Sequence, residues 1–401
     1  MFRLLRQYPY LISFGVLSIF LTGFGQSFFL SLFTPYLLKL LDLSNSTFGL
    51  IYASATMASG LMIPWVGKKL NYRNPLPFMF FTLIGLSFFA FSFSLIDHWV
   101  HLWLTVMGLR FFGQGMCSHI SSTVIATRFS INRGRALSLA SLGFPANEAL
   151  FPLIFLSLGS FLTVPQMWQV FAVSLLLLTG LAYYLLSSAG AEQEPDDEHG
   201  NHHYKEFHGY KSLTFWYYAT PAILPPFLFT ALFIYHGVLL ESRGLSLSLM
   251  ASSFLFFAIS RFSSSLFAGV LVDHWGARKL FPWYLLPVIL SLTVLYCFHS
   301  PLAFVCYLVL GAMTLGAAST IMNSVWSEIY GPEMMATVRS QMASLTVLST
   351  AAGPFVFGYL IDGLGSVEQA LFILIALMIS FFLLAVFLKP LGGSSDKARQ
   401  G

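Results

Sequence analysis

Charged residues are scarce in this sequence, and their scarcity limits the class of protein. Only 9% of the 401 residues are Asp, Glu, Lys or Arg, whereas 57% are hydrophobic and 17% are aromatic. A soluble domain has about 25% charged residues, so a chain this poor in charge cannot cover its surface with water-compatible groups. The composition therefore excludes a soluble, disordered or fibrous protein.

Sequence signatures of enzymes and metal sites are also lacking. The three cysteines, Cys117, Cys297 and Cys306, lie in apolar segments and have neither metal-ligand spacing nor an extracellular partner. No His-Glu-x-x-His motif, serine signature or pair of acids in facing helices is present. The basic residues behind the net charge of +4 are not clustered as a nucleic-acid surface requires. We therefore expect no enzymatic activity, no metal, no cofactor and no nucleic-acid partner.

Apolar stretches long enough to cross a bilayer, which takes about 20 residues, fill most of the chain. In chain order, as helices 1 to 12, they are Leu11–Leu38, Thr47–Val66, Pro77–Ile96, Leu102–Ala126, Ala136–Leu162, Trp168–Leu186, Leu213–Leu240, Leu249–Val272, Leu280–Phe298, Leu302–Val325, Val338–Ile361 and Ala370–Leu388. The sequence therefore predicts an all-α membrane protein with twelve transmembrane helices in contact with membrane lipid.

The distribution of Lys and Arg between the loops predicts the orientation of these helices. Of the 20 basic residues, 16 lie at the N-terminus, in loops after even-numbered helices or in the C-terminal tail. Only Lys39 and Arg243 lie on the opposite side. Cytoplasmic loops carry the excess of Lys and Arg in membrane proteins. We therefore expect a multi-pass protein of the cytoplasmic (inner) membrane with both termini in the cytoplasm.

A polar break separates the helices into two sets of six. Residues 189–212 contain an acidic run and four histidines. The histidines could bind a metal, but no apolar residues fix their geometry, so a solvated linker is the favoured interpretation. We predict an N-terminal six-helix bundle at 1–188, a cytoplasmic linker at 189–212, and a C-terminal bundle with a short cytoplasmic tail at 213–401.

The two predicted bundles resemble each other in sequence, which indicates pseudo-symmetry. Gly60 and Gly67 in helix 2 match Gly269 and Gly276 in helix 8 at a spacing of 209 positions. Parallel repeats of six helices are typical of transporters in which two bundles rock about a central site.

The end of helix 8 resembles the loop signature of the major facilitator superfamily, Gly-x-x-x-Asp-x-x-Gly-x-Arg-Arg. The matching residues are Gly269, Asp273, Gly276, Arg278 and Lys279. The resemblance implies a charge network at the cytoplasmic helix ends that latches the outward-facing state. In the N-terminal copy Pro64 stands in place of the Asp, so only the C-terminal latch is expected here.

Two further segments resemble the same superfamily. The run Arg110-Phe-Phe-Gly113-Gln114-Gly115 in helix 4 is similar to its Arg-x-x-x-Gln-Gly element. The segment from Arg133 to Glu148 resembles bacterial members related to the monocarboxylate-porter group. A Gly-Pro-x-x-Gly-Gly-type run in helix 5, which drug and proton antiporters carry, is absent, and this counts against drug efflux. The resemblance implies alternating access by a functional monomer.

A single arginine lies deep in helix 8. Arg261 is 12 residues from Leu249, or about 18 Å along a helix, near the middle of the membrane. A charge there costs about 2.5–3.5 kcal/mol and usually marks a functional site. Its polar neighbours are Ser264 and Ser265, and a guanidinium beside hydroxyls suits a bidentate carboxylate. Monocarboxylate porters also use a helix 8 arginine for substrate, but with an Asp one turn earlier, where this chain has Phe257.

Glu148 is the only carboxylate deep in any predicted helix, and Arg110 in helix 4 lies at a similar depth. The two are therefore candidates for a pair. One interpretation makes them a proton-responsive pair that couples transport to protons. The other makes them a permanent structural bridge, because loss of either partner of a buried pair is strongly destabilising.

Four other polar residues are candidates for substrate contacts by position: Gln26 in helix 1, Tyr235 and His236 toward the outer end of helix 7, and Asn323 in helix 10. Interfacial anchoring is the alternative for Tyr235 and His236, and helix packing is the alternative for the other two. Three prolines in helix 7 are expected to kink or break it: Pro221, Pro225 and Pro226.

Together these observations predict a secondary active transporter of a small organic anion, with Arg261 as the anchor and protons as the coupling ion. The alternative is an efflux or uptake carrier for a neutral or cationic solute without proton coupling, in which backbone carbonyls hold Arg261.

Overall fold

The structure, a computed structural model, describes residues 2–67, 69–70, 74–129, 132–191, 209–331 and 334–387. Within these ranges the chain is helical and contains no strand. Helices 1 to 12 have these bounds: Pro9–Leu21 with Thr34–Leu41, Asn45–Gly67, Leu76–Phe93, Trp99–Leu109 with Ser118–Arg128, Arg133–Ala140 with Gly143–Gly159, Val164–Ser188, Leu213–Ile234 with His236–Ser242, Leu247–Trp275, Leu286–Cys297, Pro301–Tyr330, Met335–Leu364 and Val367–Phe387. The predicted all-α fold is confirmed.

Most of these helices can cross a membrane by themselves. Among the described residues nine are long and apolar enough, and a tenth is added if the two bent parts of helix 1 form one span. Helix 4 is interrupted by a π-helical segment, and the helix at Trp283–Cys297 is shorter but also apolar. The protein is thus an integral, multi-pass membrane protein.

The chain divides into two compact units. An N-terminal unit contains residues 1–200 together with 233–240, and a C-terminal unit contains 201–232 and 241–401. Residues 233–240, near the C-terminal end of helix 7, therefore belong to the N-terminal unit. The predicted linker at 189–212 stays a prediction, because residues 192–208 with their acids and histidines lie outside the described residues.

Helices 3 and 6 carry an exposed apolar surface. Exposed large side chains on these two helices are Phe80, Phe81, Ile84, Phe88 and Phe91 on the first, and Val170, Val173, Leu176, Leu177 and Leu181 on the second. The described interiors of both helices hold no Asp, Glu, Lys or Arg. A surface of this kind is compatible with lipid tails.

Helix 7 differs from expectation at its prolines. It continues without interruption through Pro221, Pro225 and Pro226 and breaks only at Tyr235. A proline frees the carbonyl four residues earlier, and the carbonyl of Pro221, which Pro225 frees, accepts a hydrogen bond from the buried Tyr284 hydroxyl at 2.8 Å. The Tyr284 hydroxyl thus replaces the backbone donor that this carbonyl loses to Pro225, as a helix in a membrane requires.

Candidate functional site

Helix 1 is broken in the middle of the N-terminal unit. Its first part ends at Leu21, a 3₁₀ turn covers Thr22–Gly25, and Gln26 is extended with φ −83° and ψ 146°. The parts before and after Gln26 are bent by 43° relative to each other. A break leaves carbonyls without helical partners, and in a membrane each must find another donor.

Asn147 of helix 5 supplies donors to the carbonyls at the break. Its side-chain amide donates to the carbonyl oxygens of Ile19 at 3.2 Å and Phe20 at 3.1 Å, and it also contacts Thr22 Oγ1 at 3.3 Å. Asn147 is fully buried. Its side chain thus makes hydrogen bonds between helices 5 and 1.

Helix 4 meets the break with a π-helical segment, Arg110–Cys117. The backbones come so close that a Cβ at Gly25 would lie 2.3 Å from the carbonyl oxygen of Leu109 and 2.6 Å from the amide nitrogen of Gln114. From the other side, a Cβ at Gly113 would lie 2.8 Å from the amide nitrogen of Gly25. The two glycines therefore allow helices 1 and 4 to touch through their main chains. Single-turn π segments occur often at functional sites.

The first residue of this π segment, Arg110, bonds to helix 1. Its Nη1 donates to the carbonyl oxygen of Gly25 at 3.1 Å and to Ser27 Oγ at 3.2 Å. The guanidinium carbon lies 5.3 Å from the ring centroid of Tyr52 in helix 2, and the Tyr52 hydroxyl is 2.8 Å from Ser27 Oγ. Arg110 is buried, with 3% of its surface exposed. It therefore holds helices 1, 2 and 4 together at the break.

Glu148 is buried one residue beyond Asn147 in helix 5. The described hydrogen bonds of Arg110 go to helix 1, and none of them goes to Glu148. The proton-responsive role of Arg110 and Glu148 stays a prediction.

The break in helix 1 has a counterpart in helix 7 at the same repeat position. Helix 7 is interrupted at Tyr235, 209 positions after Gln26, and this is the spacing that relates the glycines of helices 2 and 8. Discontinuous helices in corresponding positions of two halves are the best sequence-level indicator of a transporter's binding site. Gln26 itself is half-buried.

Tyr235 and His236 are fully buried. The Tyr235 hydroxyl donates to the carbonyl oxygen of Asn45 at 2.6 Å, at the start of helix 2, and the His236 ring lies 5.2 Å from that of Phe233. The next residue, Gly237, packs against the ring of Pro35 in helix 1. The break in helix 7 thus belongs to the packing of the N-terminal unit.

In the C-terminal unit the backbone of Arg261 lies against helix 10. A Cβ at Gly316 would lie 2.2 Å from the backbone carbonyl oxygen of Arg261 and 3.1 Å from Ser264 Cβ. One turn further along, Ser265 Oγ is 3.4 Å from Thr320 Oγ1. Arg261 is half-buried. Ser264 and Ser265 thus lie at the contact with helix 10, and the substrate-binding role of Arg261 stays a prediction.

Helix 10 carries exposed polar residues of its own. Ser319 and Asn323 are exposed, one turn apart, and the Asn323 amide donates to the Ser319 carbonyl oxygen at 2.6 Å. Exposed polar residues at this depth are costly in lipid, so they are expected to face water or polar groups.

The predicted latch contains an ion pair that joins the segment after helix 8 to helix 10. Arg278 donates to the backbone carbonyl oxygen of Glu328 at 2.8 Å, and its Nε lies 3.7 Å from the Glu328 carboxylate. The same carboxylate accepts the Ala277 amide at 2.9 Å. Gly276 has φ +79°, a conformation that favours glycine and turns the chain out of helix 8.

The two other polar members of the predicted latch do not take part in this pair. Asp273 and Lys279 are exposed and make no ion pair with the described residues. Gly269 faces open space, because an added Cβ there would meet no atom within 4 Å.

Comparison with known proteins decides the family. The sequence model described as Major Facilitator Superfamily matches residues 15–354, which is most of the chain. The chain belongs to the Major Facilitator Superfamily. Members of this superfamily are carriers, so the protein is a secondary transporter of a small solute and not an enzyme. No curated protein has a significant sequence match to it.

Solved structures of superfamily members share the fold at low identity. A bacterial homologue of the human lysosomal transporter Spinster, inward-facing and occupied, matches with a TM-score of 0.73 and 15% identity over 94% of this chain and 97% of that one. A D-xylose-proton symporter matches at 0.74 and 14%, over 96% of this chain and 98% of that one. A mutant of the nucleoside transporter NupG matches at 0.67 and 12%, over 94% and 99%. At such identity the likeness shows the fold alone.

The sequence did not predict the side chains that contact Arg110 and Arg278, the two arginines in the segments that resemble superfamily motifs. It did not single out Ser27 and Tyr52, which contact Arg110, or Glu328, which pairs with Arg278. The repeat spacing could have found Glu328, because it lies 209 positions after His119. In the N-terminal unit His119 Nε2 donates to the carbonyl oxygen of Gly67 at 3.1 Å, at the end of helix 2. Glu328 occupies the equivalent position in the C-terminal unit and bonds to Ala277, just after helix 8.

Proposed function

We propose that this superfamily transporter carries a small organic anion and that Arg261 binds its carboxylate. The observation that supports the proposal is a half-buried arginine deep in helix 8, one turn before Ser264 and Ser265, which lie at the contact with helix 10. A guanidinium presents a rigid fork of N–H donors that matches the two oxygens of a carboxylate.

The structure also distinguishes Arg261 from Arg110. Arg110 is buried and donates to a backbone carbonyl and a serine that belong to helix 1. Arg261 is only half-buried, and its backbone carbonyl lies against Gly316 of helix 10. We therefore assign anion binding to Arg261 and the positioning of the helix 1 break to Arg110.

Uptake by purified protein in liposomes tests the role of Arg261. Arg261→Gln is expected to weaken carboxylate transport at least tenfold, because a charge-assisted bidentate contact contributes about 1.5–3 kcal/mol. Arg261→Lys is the matched control and should retain part of the activity, since it keeps the charge and loses only the fork. Unchanged uptake of every carboxylate tested in Arg261→Gln would show that the substrate is not an anion held there.

For Glu148 we propose a proton-binding role. Its carboxyl group is buried in helix 5 beside the residue that holds the helix 1 break, so a change in its charge acts where helix 1 is discontinuous. Glu148→Gln mimics the protonated state and should abolish pH-driven accumulation while sparing counterflow. Full pH-driven accumulation by this variant would exclude Glu148 as the proton site.

The proposal also includes where the transporter resides, how it is oriented and what the other candidate residues do. The transporter would reside in the cytoplasmic membrane with both termini in the cytoplasm and act as a monomer. Gln26, Tyr235, His236 and Asn323 would contribute to or border the substrate path, and the Arg278–Glu328 pair would be part of the cytoplasmic latch.

A further inference from the structure

A cavity of about 450 Å³ lies in the N-terminal unit, between the end of helix 2 and the start of helix 3. Small-molecule sites usually have volumes of about 300–1,000 Å³. The residues that line it are Val66, Lys69, Asn74, Pro77, Phe78 and Phe81. The two polar residues belong to the segment that joins the helices, whereas the four apolar ones belong to the helices themselves. The cavity therefore places a cation and an amide beside an apolar wall.

The apolar wall of the cavity packs on helix 4. The Phe78 ring lies 6.5 Å from the ring of His119, and the Phe81 ring lies 5.3 Å from that of Phe112, both edge to face. The His119 ring is held in turn by the carbonyl oxygen of Gly67, which lies 3.1 Å from Nε2. The wall is thus formed by contacts within the protein, and a ligand does not have to order it.

The segment that joins helices 2 and 3 is basic. Besides Lys69 its sequence contains Lys68 and Arg73, and no Asp or Glu occurs between Asp42 and Asp97. Because the segment joins two membrane-spanning helices, its charge lies at the level of the lipid headgroups. Lys69 is exposed, so its ammonium group can reach a ligand. The polar end of the cavity therefore favours an anion.

Beyond the cavity an apolar stripe continues along helix 3. Its members are exposed, and their spacing of three, four and three residues places them on one face of the helix: Phe81, Ile84, Phe88 and Phe91. From Phe81 to Phe91 the helix rises about 15 Å, which is the thickness of one leaflet in a hydrocarbon core of about 30 Å. Phe81 belongs to both the cavity and the stripe. A molecule with its head in the cavity can therefore lay an acyl chain along the stripe.

These features fit an amphiphile with an anionic head. A soluble anion would use the charge but not the adjoining stripe, and a zwitterionic lipid carries an ammonium group that the basic segment repels. Basic pockets between transmembrane helices bind the headgroups of anionic lipids. We propose that the cavity binds an anionic phospholipid, whose phosphate contacts Lys69 and accepts a hydrogen bond from the Asn74 amide, and whose acyl chain lies along the stripe. The assignment does not depend on which substrate is transported.

Lipid titrations of the purified full chain in detergent, followed by native mass spectrometry, test the site. Dioleoyl phosphatidylglycerol is compared with dioleoyl phosphatidylethanolamine, which has the same acyl chains but no net charge, and with glycerol phosphate, which has no acyl chain. We expect phosphatidylglycerol to bind at least tenfold more tightly than either, because each basic residue near a membrane surface contributes about fivefold and each buried methylene adds to the affinity. Equal binding of the neutral lipid would overturn the assignment. Equal binding of glycerol phosphate would also overturn it and would assign the cavity to a soluble phosphate.

Variants locate the binding at the cavity. Lys69→Gln should weaken phosphatidylglycerol binding about fivefold and leave binding of the neutral lipid unchanged. Lys69→Arg keeps the charge and should retain the affinity. Lys211→Gln removes an exposed lysine outside the cavity, so it is the matched control and should have no effect. Undiminished phosphatidylglycerol binding in Lys69→Gln, or an equal loss in Lys211→Gln, would overturn the assignment.

Discussion

Replacing Arg110 with alanine is expected to destabilise the N-terminal unit by about 3 kcal/mol or more. The change removes two hydrogen bonds from a charged donor, each contributing about 1.5–3 kcal/mol, and leaves the Gly25 carbonyl buried without that donor. It also removes the contact between the guanidinium and the Tyr52 ring. Scanning fluorimetry of the detergent-solubilised protein measures the loss as a lower unfolding temperature.

Two comparison variants define what Arg110 contributes. Arg110→Lys keeps the charge but not the fork, and it should recover only part of the stability. Arg135→Ala removes an exposed arginine and should change stability by less than about 0.5 kcal/mol. A full recovery by lysine would mean that charge alone, without the geometry of the bonds to Gly25 and Ser27, holds the break.

Gly25→Ala is expected to have a comparable or larger effect. The added Cβ would lie 2.3 Å from a backbone carbonyl oxygen and 2.6 Å from a backbone amide nitrogen of helix 4, and neither can move away by rotating a side chain. Helices 1 and 4 must therefore separate, which costs about 3 kcal/mol or more and lengthens the Arg110 hydrogen bonds. The expected readout is poor recovery of folded protein by size-exclusion chromatography, with a lower unfolding temperature of what is recovered.

The matched control for this prediction is Gly180→Ala in helix 6. A Cβ at Gly180 would meet no atom within 4 Å, and alanine favours helix, so this variant should be neutral or slightly stabilising. If Gly25→Ala were as stable as Gly180→Ala, the close main-chain contact between helices 1 and 4 would be wrong.

The charged residues could be found from the sequence, because a membrane makes each deep charge expensive. Arg110, Glu148 and Arg261 stand out against a chain with 9% charged residues, and their depth follows from counting along a helix. Their partners do not follow from such counting. Ser27 and Tyr52 are two of many hydroxyl residues, and only packing brings them to Arg110.

The positions at which the helices are interrupted were harder to predict from the sequence than the helices themselves. Apolar length predicts a span, but helix 1 breaks at Gln26 because Asn147 and Arg110, more than 80 residues away, supply donors for the exposed carbonyls. In helix 7 the three prolines suggested a break that the structure places at Tyr235 instead. The residues next to a break determine which backbone hydrogen bonds are lost there. Residues far away in the sequence determine where other donors can replace those bonds.

The broken helix 1 also bears on how the protein is made. Asn147 is synthesised about 120 residues after Gly25, which at about 5–20 residues per second is about 6–25 s later. During that interval the carbonyls of Ile19, Phe20 and Gly25 lack the donors that Asn147 and Arg110 supply in the finished protein. Helix 1 is therefore expected to remain beside the translocon, where water reaches its break, until helices 4 and 5 arrive and the three enter the bilayer together.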